Sequence, residues 1–143
     1  MSDPAPSSPS TPRALVAGHA DFAFGLVSAV DMITGKGSVL LPIRVTGLCG
    51  DDIKQLLLDR LRESGARVIF TDLQAGSCTM AARKVIRELG AGVLVAGANL
   101  PMLLDFVMSA NPDSRAAAAQ AAERGRLAVS VHDGDAVSGA SKP

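Results

Sequence analysis

Apolar positions along this 143-residue chain fall in short runs separated by stretches of helical period, the alternation that builds βαβ units around a parallel sheet. The first run, residues 14–17, ends in Gly18-His19, after which Phe22, Leu26, Val30 and Ile33 recur at helical spacing up to Gly35. The second, residues 38–45, contains Pro42, which offers no N–H to a ladder and so predicts an edge or irregular strand. A helix then opens at Asp51 and runs through Leu61. The third run, residues 66–71, delivers Asp72 at its C-terminal end. The next helix starts near Ser77, passes Ile86 and Leu89, and stops at Gly90. The fourth run, residues 92–96, leads into Gly97-Ala98-Asn99-Leu100-Pro101. There Asn99 is placed to cap, and Pro101 to sit in the first turn of, a helix reaching about Met108. A further helix is expected over residues 113–124, then a short candidate fifth strand at residues 127–131. Residues 1–12 and 133–143, rich in Ser, Pro and Gly, read as a disordered N-terminal and a flexible C-terminal tail around one domain of residues 13–132. The fold class is α/β, doubly wound about a mainly parallel sheet flanked by helices.

Composition narrows the function classes. Lys plus Arg equals Asp plus Glu at 14 each, so formal net charge is zero and no global field points to nucleic acid or an anionic membrane. With four Phe and neither Trp nor Tyr, the aromatic platforms that grip single-stranded nucleic acid are missing. No apolar run approaches the roughly 18 residues of a membrane span. The N-terminal tract carries no basic region followed by an apolar stretch, which predicts a cytoplasmic address. Cys49 and Cys78 lack metal-ligand spacing and are too few for a disulfide framework. Both read as small, partly buried hydrophobes, and neither metal nor cofactor is expected.

In an open parallel sheet, ligands gather beyond the carboxyl ends of the strands where strand order reverses. Three polar loops lie at that edge: Gly18-His19, residues 72–77, and residues 97–101. His19 is the only histidine in such a loop, and a neutral imidazole is a competent nucleophile toward phosphorus near pH 7. Asp72 is placed to accept a hydrogen bond from one ring nitrogen, fixing the tautomer that presents the other. Gly76 permits close backbone approach, and Ser77 offers a hydroxyl at a helix start whose free N–H groups favour an anion. On residue type alone each has a plainer role as well: His19 a surface residue, Asp72 a helix stabiliser, Gly76-Ser77 an ordinary loop-to-helix junction, Asn99 to Pro101 a cap and first turn. His132 lies near the tail and reads as incidental.

Three ordered blocks narrow the choice. Ala17-Gly18-His19-Ala20-Asp21-Phe22-Ala23-Phe24-Gly25-Leu26 resembles the opening of the IIA domains of the mannose, fructose and N-acetylgalactosamine-type phosphotransferase system (PTS). Phe70-Thr71-Asp72-Leu73-Gln74-Ala75-Gly76-Ser77 with Ala81-Ala82 resembles that family's Asp-containing Gly-Gly-Ser/Thr-Pro loop. Val95-Ala96-Gly97-Ala98-Asn99-Leu100-Pro101-Met102-Leu103 is similar to its Gly-x-Asn-x-Pro-Met element. The resemblance covers about residues 14–110.

It implies a phosphocarrier in which His19 is the phosphohistidine, Asp72 its orienting carboxylate, and Gly76 and Ser77 the loop beside the phosphoryl group, with Gly18, Asn99 and Pro101 supporting. The implied donor is the phosphorylated carrier HPr and the implied acceptor a IIB component, with membrane IIC and IID components reached only indirectly. It further implies strand order 2-1-3-4 and a homodimer, with residues 127–131 as a fifth, antiparallel strand open to exchange between protomers. Phe22, Phe24, Leu73 and Met102 are candidates for either the docking rim or the core. Three positions depart from the family's pattern: Ala75 replaces the first Gly of the pair, Cys78 stands where Pro is usual, and Gln74, a choice with no physical account, stands where Trp, Leu or Gly is frequent. The phosphotransfer subunit of dihydroxyacetone kinase shares the fold and the His start but fits the third-strand loop less well. A degenerate, non-catalytic regulatory IIA domain is the remaining alternative.

Overall fold

The computed structural model describes residues 11–135, so most of both expected tails lies outside the described residues. The sheet is formed by β1 (Ala14–Gly18), β2 (Leu40–Arg44), β3 (Val68–Thr71) and β4 (Val93–Ala96), all parallel, in the order β2-β1-β3-β4. The helices are α1 (Phe22–Thr34), α2 (Gly50–Ser64), α3 (Ser77–Leu89), α4 (Leu100–Met108) and α5 (Ser114–Leu127). Pro42 faces Val16 across the β1–β2 ladder in the outermost strand, where its missing N–H is harmless.

Period-two alternation divides the core between the two faces. Ala14, Val16, Val68 and Phe70 pack with α1, α4 and α5 through Val30, Leu103, Phe106 and Ala118. Leu15, Ala17 and Ile69 pack with α2 and α3 through Ile53, Leu57, Ala82 and Val85. Because both faces are covered, β1 and β3 are buried along their whole length, as parallel strands in a doubly wound sheet must be. Phe70 meets Phe106 edge-on with ring centroids 5.1 Å apart, and the Arg13 guanidinium lies 5.2 Å from the Phe106 ring centre.

Helix ends follow their chemistry. α1, α2 and α3 stop at Gly35, Gly65 and Gly90, each left-handed at φ 72°, 76° and 65°. Asn99 caps α4 by accepting the Met102 N–H at 3.0 Å, and Pro101 lies in the first turn.

The expected fifth strand is not formed. Leu127 closes α5, and residues 128–135 have no strand pairing. The alanine-rich run of α5 carries helix through Gly125 because that glycine packs tightly on α4. A Cβ there would come within 2.8 Å of Met102 and 2.9 Å of the Asn99 side chain. The segment's periodicity therefore belongs partly to a helix end, and Leu127, Val129 and Val131 are left exposed.

Candidate functional site

The order β2-β1-β3-β4 means that the chain leaves β1 toward one edge of the sheet and returns to its other side. The switch point therefore lies between β1 and β3. The residues following these two strands are His19 and Asp72. One carboxylate oxygen of Asp72, Oδ2, stands 2.6 Å from His19 Nδ1 and also accepts the His19 backbone N–H at 2.8 Å. The histidine side chain is 59% exposed and the carboxylate 8%. Nδ1 thus faces a buried anion, while Nε2 has no partner among the described residues.

Asp72 responds to this setting. Burial pushes its carboxyl up, but the His19 backbone N–H, the ring hydrogen bond, the imidazole's charge and, least, the Leu73 backbone N–H together outweigh burial and hold it below the ordinary carboxylate value. Its second oxygen, Oδ1, is buried and makes no hydrogen bond among the described residues. Cys78, fully buried in the first turn of α3, has its thiol pushed up to about 12, first by burial and then by the Asp72 charge. Cys78 is therefore an inert hydrophobe at neutral pH. Cys49 differs from expectation: it is exposed at the start of α2, and its thiol donates to Asp52 Oδ2 at 3.2 Å. A polar partner at the helix start keeps it at the surface.

Two glycines make the approach possible. A Cβ on Gly18 would lie 2.7 Å from the Phe22 ring and 2.9 Å from the Asp72 carboxyl, so only glycine lets β1 run this close to the carboxylate. Gly76 sits beside the histidine, since a Cβ there would stand 3.6 Å from His19 Cε1. Gly76 caps α3 without a side-chain hydrogen bond, and Ser77 is the first helical residue, so the first N–H groups of α3 emerge next to the imidazole edge.

Of the seven residues expected at the site, the structure brings together His19, Asp72, Gly18 and Gly76, with Ser77 directly following. Asn99 and Pro101 belong to a different job. The Asn99 amide oxygen is taken by Met102 and its nitrogen donates to the Gly125 carbonyl at 3.0 Å, so Asn99 fastens α4 to α5. Neither residue bonds His19 or Asp72. Phe24 and Leu73 are exposed at 43% and 53%, whereas Met102 is core and Phe22 packs against it. Beside Phe24, Arg44 lies 5.1 Å from the ring centre and pairs with Asp21 at 2.5 Å.

Sequence reasoning missed four participants. Ala20, directly after His19, has φ 46°, a left-handed conformation unusual for a residue with a Cβ. Its N–H is held by the Thr46 hydroxyl at 3.0 Å. Thr46 follows β2, whose loop opens at the same sheet edge as the other three, and that placement was the available signal. Thr79 and Thr71 share a buried hydroxyl contact of 2.6 Å. Nothing in the sequence separates them from β-branched filler.

Comparison with known proteins returns the same fold. Among curated proteins, none matches the chain. Similar solved structures include the mannose/sorbose specific IIA subunit of the phosphotransferase system from Enterococcus faecalis, at TM-score 0.73 and 22% identity, covering 87% of this chain and 96% of that one. The phosphotransferase system component EIIA from Streptococcus agalactiae aligns at TM-score 0.64 and 20% identity over 86% and 97% of the two chains. The PTS IIA protein associated with the fucose utilization operon from Streptococcus pneumoniae aligns at TM-score 0.63 and 22% identity over 79% and 90%. At these identities the likeness shows the fold. The family follows from the sequence itself, because the EIIA-man profile, described as PTS system fructose IIA component, matches residues 13–123. The chain belongs to the EIIA-man family of phosphotransferase-system IIA components.

Proposed function

We propose that this protein is a phosphocarrier that takes a phosphoryl group onto His19 from phospho-HPr and passes it to a IIB component for sugar uptake. The observation that carries the proposal is the division of labour on one imidazole: Asp72 engages Nδ1, and Nε2 stays accessible. With the Nδ1–H tautomer fixed, the Nε2 lone pair attacks phosphorus in line. The new N–P bond forms as the donor's N–P bond breaks, and the ring gains positive charge that the adjacent carboxylate stabilises. The proton stays on Nδ1. The N-terminal N–H groups of α3 beside Gly76 and the Ser77 hydroxyl supply donors to the phosphoryl oxygens. The exposed Leu73, and the exposed Phe24 with Arg44 of the Arg44–Asp21 pair against its ring, suit surfaces that exchange partners quickly.

This reading places the protein in the cytoplasm and makes it a homodimer. Val129, in the stretch after α5 that has no strand partner among the described residues, lies near the open edge of β4, where it lines a hollow of about 380 Å³ with Val95 and Ala96 among others. Light scattering at twice the 14.6 kDa chain mass checks the dimer.

Incubation with phosphoenolpyruvate, the first PTS enzyme and HPr tests the carrier function. The expected product bears one phosphoryl group in an acid-labile, base-stable bond, and His19→Ala takes up none. Full labelling of that variant, with the group on His132, overturns the assignment.

A further inference from the structure

We infer that Thr79 is a positioning residue for the His19–Asp72 pair, because its hydroxyl links the Thr71 side chain before Asp72 to the Leu73 backbone carbonyl after it. The inference rests on the phosphocarrier reading, and it starts from a gap in the side-chain bonding. Among the described residues Asp72 Oδ1 has no hydrogen-bond partner, Oδ2 is held by His19, and the other group that steadies the carboxylate's charge is the backbone N–H of Leu73, the next residue of the same loop. No other side chain among the described residues anchors the carboxylate independently of the residue it must orient. Its position has to come from the backbone at Thr71, Asp72 and Leu73.

On the N-terminal side the chain is fixed by strand neighbours, since the Thr71 carbonyl accepts the Gly97 and Ala98 N–H groups at 3.0 and 2.9 Å. On the C-terminal side the chain has left the sheet. The Leu73 side chain is half exposed, and its carbonyl receives no backbone N–H among the described residues. It receives the Thr79 hydroxyl instead. Proton counting then fixes the whole chain of bonds. A carbonyl only accepts, so the single Thr79 proton goes to Leu73, and Thr71 must donate to Thr79 Oγ1 across 2.6 Å. The order Thr71 to Thr79 to Leu73 brackets Asp72 from both sides. Both threonines are at most 1% exposed, so water cannot replace either bond without opening the core. The tolerance for a working constellation is a fraction of an ångström, and this bracket is what holds the loop half of it.

Thr79→Val keeps the branched shape and removes the hydroxyl, while Thr79→Ser keeps the hydroxyl. Three readouts apply: the ¹⁵N shifts of the His19 ring, which report the Nδ1–H tautomer; the ¹³C titration of the Asp72 carboxyl; and single-turnover phosphorylation by phospho-HPr. In Thr79→Val the Nδ1–H tautomer should lose its dominance, the Asp72 titration should move up, and the single-turnover rate should fall about tenfold with the dependence on phospho-HPr concentration little changed. Thr79→Ser should restore all three. A valine variant that melts earlier yet keeps the wild-type tautomer and Asp72 titration overturns the inference and leaves Thr79 as a core hydroxyl. If the valine variant does not fold, Thr71→Val, which removes the upstream donor, is judged by the same signals. The two NMR readouts need no phosphoryl transfer, so failure of wild-type protein to accept a phosphoryl group would sink the carrier reading and leave the positioning question separately decided.

Discussion

His19 and Asp72 meet twice through one oxygen: Asp72 Oδ2 accepts the histidine's backbone N–H at 2.8 Å and faces its ring Nδ1 at 2.6 Å. The double contact ties the ring's rotation to the direction of the β1 backbone. The imidazole is thus oriented by two elements that are neighbours in the sheet although 53 residues apart in sequence.

Breaking that contact has a kinetic and a thermodynamic signature. Asp72→Asn should keep the fold and slow phosphoryl transfer by roughly 10–100-fold, the scale of losing a histidine's orienting partner. Because the folded Asp72 value is lowered, its ionisation contributes stability that is complete above the unfolded value of about 3.9 and is lost as pH falls through the folded value. Urea titrations below about pH 4 should show wild type losing stability more steeply than Asp72→Asn. Equal slopes would mean the carboxylate is not held by the histidine.

Gly18 and Gly76 flank the same imidazole but differ in tolerance. Gly18→Ala drives a Cβ to 2.7 Å from Phe22 and 2.9 Å from Asp72, and overpacking of this kind should cost about 1–3 kcal/mol. Gly76 has φ −89° and only 3.6 Å neighbours, so Gly76→Ala should stay within about 0.5 kcal/mol of wild type. Chemical denaturation of the two variants side by side checks the contrast, and equal losses would refute it.

The two thiols should react in strict order. At pH 8, alkylation followed by mass spectrometry should modify exposed Cys49 at once and Cys78 only when the protein unfolds, since Cys78 is buried and its thiol is pushed up to about 12. Early labelling of Cys78 would mean that the first turn of α3 opens readily, against the packing described.

Much of the architecture was legible because local signals agreed with the global fold. The helix stops at Gly35 and Gly90, the Asn99 cap and the edge placement implied by Pro42 all arise from chemistry within a few residues. The His19–Asp72 pairing was legible through βα topology, which makes loops after β1 and β3 neighbours, and through the family resemblance, but through no local spacing. What escaped were long-range or ambiguous partners. Residues 127–131 carry strand-forming side chains, but Leu127 continues α5 because Gly125 seats that helix against Met102, a contact no local window contains. Thr46, Thr71 and Thr79 look like ordinary β-branched residues until their hydroxyls are matched across 26, 8 and 6 residues of chain. The left-handed backbone at Ala20 has no signature in the sequence, since nothing in an alanine marks it for positive φ as Gly, Asn or Asp would.

The Asn99 amide spends its oxygen on the first turn of α4 and its nitrogen on the last turn of α5. One side chain thus serves as a rivet through two helices, and with Gly125 letting them close to contact distance neither can loosen alone. Local opening on this side of the sheet is accordingly a joint event of α4 and α5. Their slowest-exchanging amides share one free energy of opening rather than two, and the flank of the molecule farthest along the chain from His19 moves, when it moves, as a single plate.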